Sequence, residues 1–136
     1  MKTLDEIKYE VEQLARIVGA SGNDLPTYGR TRDLAYPHIE IDDAQYHYVI
    51  VERGQELERK STLDFSELLY WIFSDVTHDL AFAYELHNRV KGRDCRRIAF
   101  SKQVELLSLI SPKMAARQTE KISEILRSTP YSDEPK

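Results

Sequence analysis

The chain has 136 residues, of which 41% are hydrophobic and 31% charged, a composition typical of one soluble globular domain with a modest core. No apolar run approaches the roughly 18 residues of a membrane span, and the acidic, amphipathic N-terminal stretch is unlike a signal peptide. The single cysteine, Cys95, excludes an internal disulfide and fits a reducing compartment, so we expect a cytoplasmic protein without membrane attachment.

The charges are unevenly distributed along the sequence. Residues 1–88 hold 17 acidic and 8 basic side chains, a balance of −9, whereas residues 89–127 hold 4 acidic and 10 basic ones, a balance of +6. Two such halves can attract each other within one fold, or each can serve a different partner. Solvated helix faces and internal ion pairs produce the same pattern, so charge alone does not select a partner.

The N-terminal residues predict an amphipathic helix over residues 3–18. Thr3 and Glu6 have the spacing of a capping box, and Gly19 is a suitable end. Apolar side chains recur at three- and four-residue spacing, at Leu4, Ile7, Val11, Leu14, Ala15 and Val18. Residues 19–37 follow with three of the five glycines and two of the five prolines, and they predict a long, flexible loop of the kind that is often functional.

The next segment predicts a small antiparallel sheet of two to three strands in a meander. Ile39 and Ile41 alternate with polar residues, and "DDAQ" at 42–45 predicts the first turn. In "YHYVIV" at 46–51 both faces carry apolar or aromatic side chains, so both should be at least half covered. Gly54 permits a second turn, after which "QELERKS" predicts a polar edge strand.

After Asp64 the apolar period changes from two to about 3.6, which predicts three helices. The first should run over residues 65–91, which lack glycine and proline, with an inner stripe of Leu69, Ile72, Phe73, Val76, Leu80 and Ala83. Asp94 is a suitable cap for the second helix, and Ser111 with Pro112 for the third.

The sequence thus predicts a single α+β domain over residues 1–136. It consists of an N-terminal helix, the small antiparallel sheet and three C-terminal helices, one of them long. Residues 130–136 predict a frayed polar tail.

Candidate chemical sites are few, and none has a diagnostic motif. Two sets of side chains have the spacing of metal ligands: His38, Glu40 and Asp42 on a strand, and Asp75, His78 and Asp79 on a helix. A solvated strand edge or helix face has the same composition, and we favour that interpretation for both. We therefore expect no metal and no cofactor.

Cys95 follows a predicted N-cap and lies beside Arg93, Arg96 and Arg97, where a thiol can become nucleophilic. No nucleophile motif surrounds it, so a structural thiol is favoured and no enzyme is expected. The basic segment "RVKGRDCRRIAFSK" at 89–102 could contact phosphates, but it has no aromatic platform beyond Phe100 and the chain is acidic overall. We expect no nucleic-acid partner.

Several segments resemble the immunity protein 63 family, namely "YHYVIVERGQELER", "ELLYWIFSDVT", "YEL" and "RRIAF". The resemblance extends over nearly the whole chain, from "LDEIKYEVEQLARIVGA" to "PYSDEP", and includes no catalytic signature. Proteins of this family are bacterial antitoxins, encoded beside polymorphic or contact-dependent toxins, that protect the producing cell. The resemblance implies a non-enzymatic protein that binds the C-terminal domain of a cognate toxin, a nuclease in many such systems, by direct stoichiometric contact. The alternative is a small cytoplasmic regulatory or adaptor module without a toxin partner.

An acidic front half suits the basic substrate cleft of a nuclease. We therefore expect the toxin to contact acidic and aromatic residues of the sheet and the long helix: Asp42, Asp43, Tyr46, Tyr48, Glu52, Glu56, Glu58, Asp75 and Asp79. Internal ion pairs are the alternative role for charged residues such as Glu52, Arg53, Arg59, Arg89, Arg97 and Glu105. The loop at 19–37 is a second candidate surface, because specificity often depends on repulsive as well as attractive contacts.

Overall fold

The computed structural model describes residues 1–134, which form two compact units, Met1–Ile72 and the residues from Phe73 onward. The first unit contains helix α1 (Leu4–Val18), a 3₁₀ turn (Gly22–Asp24) and strands β1 (Thr27–Tyr28), β2 (Tyr36–Ile41), β3 (Tyr46–Glu52) and β4 (Gln55–Thr62). Helix α2 (Phe65–His87) begins in the first unit and continues into the second, which adds α3 (Cys95–Ile110) and α4 (Pro112–Ser128). The predicted α+β class is confirmed.

Helix α1 begins and ends where its local sequence predicts. The Thr3 hydroxyl accepts a hydrogen bond from the Glu6 amide (3.2 Å), and the Glu6 carboxylate accepts one from the Thr3 amide (3.0 Å), which completes the capping box. Gly19 ends the helix in the left-handed conformation, with φ of +76°. Its buried side chains are Ile7, Val11, Ala15 and Val18.

The sheet has four strands in the order β1-β2-β3-β4, whereas two or three were expected from the sequence. The additional strand is β1, which lies inside the predicted loop and pairs parallel with β2, opposite His38 and Ile39. Strands β2, β3 and β4 form the antiparallel meander, with β4 at the edge as expected. The flexibility of residues 19–37 stays a prediction.

Apolar residues on both faces of the sheet are buried. Ile39, Tyr48 and Val49 are fully or almost fully buried, although Tyr48 and Val49 point to opposite faces of β3. The first turns of α2 contribute Leu68 and Ile72, which are also fully buried.

The stripe predicted for α2 is confirmed at Ile72, Phe73 and Val76, which are buried, and is wrong farther along the helix. In the second unit its buried residues are Phe73, Val76, Thr77, Ala81 and Glu85, whereas Leu80 is half-buried and Ala83 exposed. The helix also ends at His87 rather than at residue 91. Among the described residues no helix combines the length and the apolar content that crossing a membrane requires.

Helices α3 and α4 begin at the predicted caps. The Asp94 carboxylate accepts from the Arg96 amide (3.0 Å), and the Ser111 hydroxyl accepts from the Met114 amide (3.4 Å) beside Pro112 at the first helical position. After α4, Asp133 accepts from the Asp94 amide at 2.7 Å. The fraying expected for 130–136 stays a prediction, and its last two residues lie outside the described part of the chain.

Candidate interaction surface

The turn between β3 and β4 carries the first group of candidate residues. Arg53 and Gly54 both have positive φ, 54° and 75°, as a two-residue type I′ hairpin requires. Glu52, Glu56 and Glu58 are exposed at this end of the sheet, as the sequence suggested. The Glu52 carboxylate has no ion-pair partner among the described residues, so it is free to meet a partner protein.

Glu56 and Glu58 are already paired within the chain. The Arg59 guanidinium donates to the Glu56 carboxylate (2.7 Å) and to that of Glu40 (3.2 Å), and Lys60 lies 3.6 Å from Glu58. Arg59 thereby lowers the pKa of Glu56. Because their basic neighbours offset much of their charge, these two glutamates form a weaker acidic surface than their number suggests.

A polar network connects β2 to β4 on one face of the sheet. The register places both His38 and Arg59 opposite Val49, and His38 Nε2 lies 2.7 Å from the Glu40 carboxylate. The bond from His38, followed by that from Arg59, lowers the pKa of Glu40. Arg59 therefore connects β4 to β2 through an ion pair. Internal ion pairing was the alternative role considered for the charged residues.

Asp42 and Asp43 lie at the opposite end of β3, in the turn before Tyr46. Asp42 Oδ1 accepts from the amides of Ala44 and Gln45, both at 2.8 Å, and its Oδ2 lies 2.7 Å from His47 Nε2. The His47 bond and then these amides lower the pKa of Asp42 to about 2. At about 3.3 Å per residue, β3 separates this turn from Glu52 by roughly 20 Å. The structure therefore does not bring the acidic residues of these two turns together.

Tyr46 and Tyr48 are not available as contact residues. Their exposed fractions are 3% and 1%, and the Tyr46 hydroxyl accepts from the Lys2 amide at 2.8 Å. The Lys60 ammonium lies over the Tyr48 ring, 5.4 Å from its centre. An aromatic side chain that anchors a partner must be accessible, so the expectation for these two residues is corrected to a role in the core of the first unit.

Asp75 and Asp79 lie one turn apart on α2, in the second unit, and both are exposed. Asp79 Oδ1 is 3.3 Å from the neighbouring His78 Nδ1. Their part in partner binding stays a prediction.

The structure shows the surroundings of the chemical sites considered from the sequence. Within residues 1–134, no group of three or more His, Cys, Asp or Glu side chains is placed to hold a metal ion. Cys95 is half-buried, and two of the arginines beside it are bound to carboxylates, Arg96 to Asp94 (2.8 Å) and Arg97 to Asp133 (2.9 Å). These ion pairs connect the start of α3 to its cap residue and to the segment after α4.

A feature that the sequence gave no signal for lies beside the β3–β4 turn. Asp33, Leu34 and Ala35, just before β2, have φ of 59°, 57° and 60°, three successive left-handed residues without a glycine. The Ala35 amide donates to the Val51 carbonyl (2.9 Å), and the Gly54 amide donates to Asp33 Oδ1 (3.3 Å). The loop and the turn therefore form one end of the sheet.

Comparison with known proteins decides the family. The model of the family described as Immunity protein 63 matches residues 42–124. The chain belongs to this family. No curated protein and no solved structure matches the chain.

Membership of the Immunity protein 63 family indicates an immunity protein, which acts against a toxin and has a protein as its partner. Immunity proteins are in general not enzymes. The match includes the sheet from Asp42 onward and all nine candidate residues, but it leaves out α1, β1, the left-handed turn and β2.

Proposed function

We propose that this member of the Immunity protein 63 family binds the C-terminal domain of a cognate toxin in a one-to-one complex and masks it in the cytoplasm of the producing cell. The observation that carries the proposal is the family match over residues 42–124. The toxin would belong to a polymorphic or contact-dependent system, in which the immunity protein is made beside it.

The charge of the first unit supports a basic toxin domain, and a nuclease in particular. Residues 1–72 hold 14 acidic and 8 basic side chains, a net charge of −6. A nuclease has a basic cleft for its phosphate substrate, and a protein surface of opposite charge both speeds the encounter and competes for that cleft. Direct occupation of the cleft is therefore the inhibition mechanism that we propose.

Among the candidate residues, the β3–β4 turn end of the sheet is the most suitable contact surface. Glu52 is exposed there without an ion pair in the described chain, and Glu56 and Glu58 are exposed beside it. Asp42, in contrast, is bound by His47 and two backbone amides at the other end. We therefore place the toxin against Glu52, Glu56 and Glu58, with Asp75 and Asp79 as further candidates on α2.

The test is co-expression with the C-terminal domain of the toxin encoded beside the immunity gene. We expect cell survival to depend on the immunity protein, and we expect the two chains to co-purify with the mass of a one-to-one complex. The purified toxin domain should degrade DNA or RNA, and an equimolar amount of the immunity protein should stop that degradation.

If the cells die although the immunity protein is folded and present at a high level, the proposal is contradicted and a regulatory or adaptor role is favoured. Survival without a complex would contradict direct binding while leaving immunity in place. A toxin domain without nuclease activity would contradict only the proposed toxin class.

A further inference from the structure

The unusual backbone conformations of the chain are concentrated at one end of the sheet. Asp33, Leu34, Ala35 and Arg53 are the four residues other than glycine that have positive φ in the described chain. The left-handed region is unfavourable for such residues, and it persists only where the surrounding structure enforces it. Segments of this kind are more frequent at binding sites than elsewhere, so we expect a binding site for a ligand or a partner at this end of the sheet.

Several contacts hold the left-handed turn in place. The Ala35 amide is bonded to β3 through the Val51 carbonyl, and the Asp33 carboxylate accepts from the Gly54 amide in the next turn. The Arg32 guanidinium lies over the Tyr36 ring, 4.1 Å from its centre. The turn is therefore attached on both sides to the strands that flank it.

The residue at the centre of this turn is Leu34, and its side chain is exposed. Its exposed fraction is 83%, the highest of the large hydrophobic side chains in the described residues. An apolar side chain on a fixed backbone loses little conformational freedom when a partner covers it, which is the property of an interface anchor. A partner must offer an apolar pocket to gain from that contact.

The charged side chains near Leu34 predict which charged groups surround the apolar pocket on the partner. Arg30 precedes the left-handed turn by three residues, and Arg53 belongs to the β3–β4 turn that is bonded to it; both are exposed and have no ion-pair partner within the described chain. A partner with a carboxylate at the rim of the pocket would complement them, and a basic group farther out would meet Glu52.

Leu34 also lies outside the residues that the family model matches, 42–124. A family model describes what its members share, whereas discrimination between toxins requires residues particular to each protein. We propose that Leu34 is the anchor by which this chain recognises its own toxin domain, inserted into an apolar pocket with an acidic rim. This inference rests on the proposed function and adds to it the residue and the recognition chemistry.

The test compares Leu34→Asp with Leu63→Asp, using the toxin domain encoded beside the immunity gene as the probe. Leu63 is a matched control, because it is 73% exposed and follows β4 at the other end of the sheet. We expect Leu34→Asp to raise the Kd by about 30-fold or more, as loss of a hot spot does, and to reduce protection. Leu63→Asp should bind like the wild type, and neither variant should melt below the wild-type temperature, because both sites are exposed and Asp tolerates the left-handed conformation of residue 34 at least as well as Leu.

The outcomes separate this inference from the proposed function. If the wild type binds the toxin domain and Leu34→Asp binds within about threefold of it, the anchor is refuted while the immunity function stands. Equal weakening by the two leucine variants would also refute it, since the effect would not belong to this turn. If the wild type neither binds nor protects, the proposed function fails and the anchor fails with it.

Discussion

Asp42 shows how a single exposed carboxylate can fix a turn. It accepts two backbone amides and lies 2.7 Å from His47, and these bonds lower its pKa to about 2 from an ordinary value of 3.8. The charged form is therefore favoured in the folded state. The resulting stabilisation is fully present above the ordinary pKa and is lost as the pH falls through the folded value.

We predict that Asp42→Asn lowers the free energy of unfolding at neutral pH, and that its difference from the wild type disappears between pH 3.8 and about 2. Urea unfolding measured over this pH range checks the prediction. Asp43→Asn keeps the turn hydrogen bonds and should follow the wild-type profile. A difference that persists unchanged below pH 2 would show that the aspartate acts through packing rather than charge.

At the scale of residues, the sequence predicts what depends on immediate neighbours. The caps at Thr3, Asp94 and Ser111 were predictable, because a cap needs only a short polar side chain at the right spacing. The burial of Tyr46 depends on distant residues, including the Lys2 amide. The left-handed Leu34 gives no sequence signal, because the usual indicators of that conformation are glycine and asparagine.

At the scale of elements, a buried polar network joins the three helical segments of the second unit. The Gln103 amide on α3 donates to the Ser74 carbonyl on α2 (3.0 Å), and the Gln118 amide on α4 donates to the Gln103 oxygen (3.2 Å). Both glutamines are almost fully buried, with exposed fractions of 2% and 4%. A buried amide that loses its partner keeps the cost of its desolvation, so this network specifies how the helices pack.

We predict that Gln103→Leu lowers the free energy of unfolding by about 1–3 kcal/mol, because it removes the acceptor of the Gln118 amide. The double variant Gln103→Leu/Gln118→Leu should recover part of that loss, since apolar groups then replace both partners. Chemical denaturation of the two single variants and the double variant gives the coupling between them. Strict additivity would contradict the proposed network.

The helices were easier to predict than the details of their packing. The length of α2 follows approximately from the absence of glycine and proline, but its inner stripe was wrong at Leu80 and Ala83. Its sequence has apolar residues almost all round at 68–73, and such a helix does not reveal which side is innermost. Strand β1 was missed for a related reason: two residues carry no alternation, and only the pairing with β2 defines them.

At the scale of the whole molecule, the two units differ in charge. The residues up to Ile72 carry −6, and those from Phe73 carry +2. Much of the charge on β4 is offset by pairs such as Glu56 with Arg59. The long-range attraction of a basic toxin therefore depends on the overall acidity of the first unit, whereas its orientation depends on carboxylates such as Glu52 that form no ion pair within the described residues.

Two charge reversals separate these contributions. Glu52→Lys and Asp43→Lys both change the net charge from −4 to −2, but they lie at opposite ends of β3. We predict that Glu52→Lys slows association with the toxin domain about tenfold at low salt, and that Asp43→Lys slows it much less. The wild-type association rate should also fall as salt is added, because exposed charges are screened beyond about 10 Å at 0.1 M. Stopped-flow or surface plasmon resonance measurements at several salt concentrations check both points. Equal slowing by the two variants would show that net charge alone steers the encounter, and the toxin would then have to be placed elsewhere than at the β3–β4 turn.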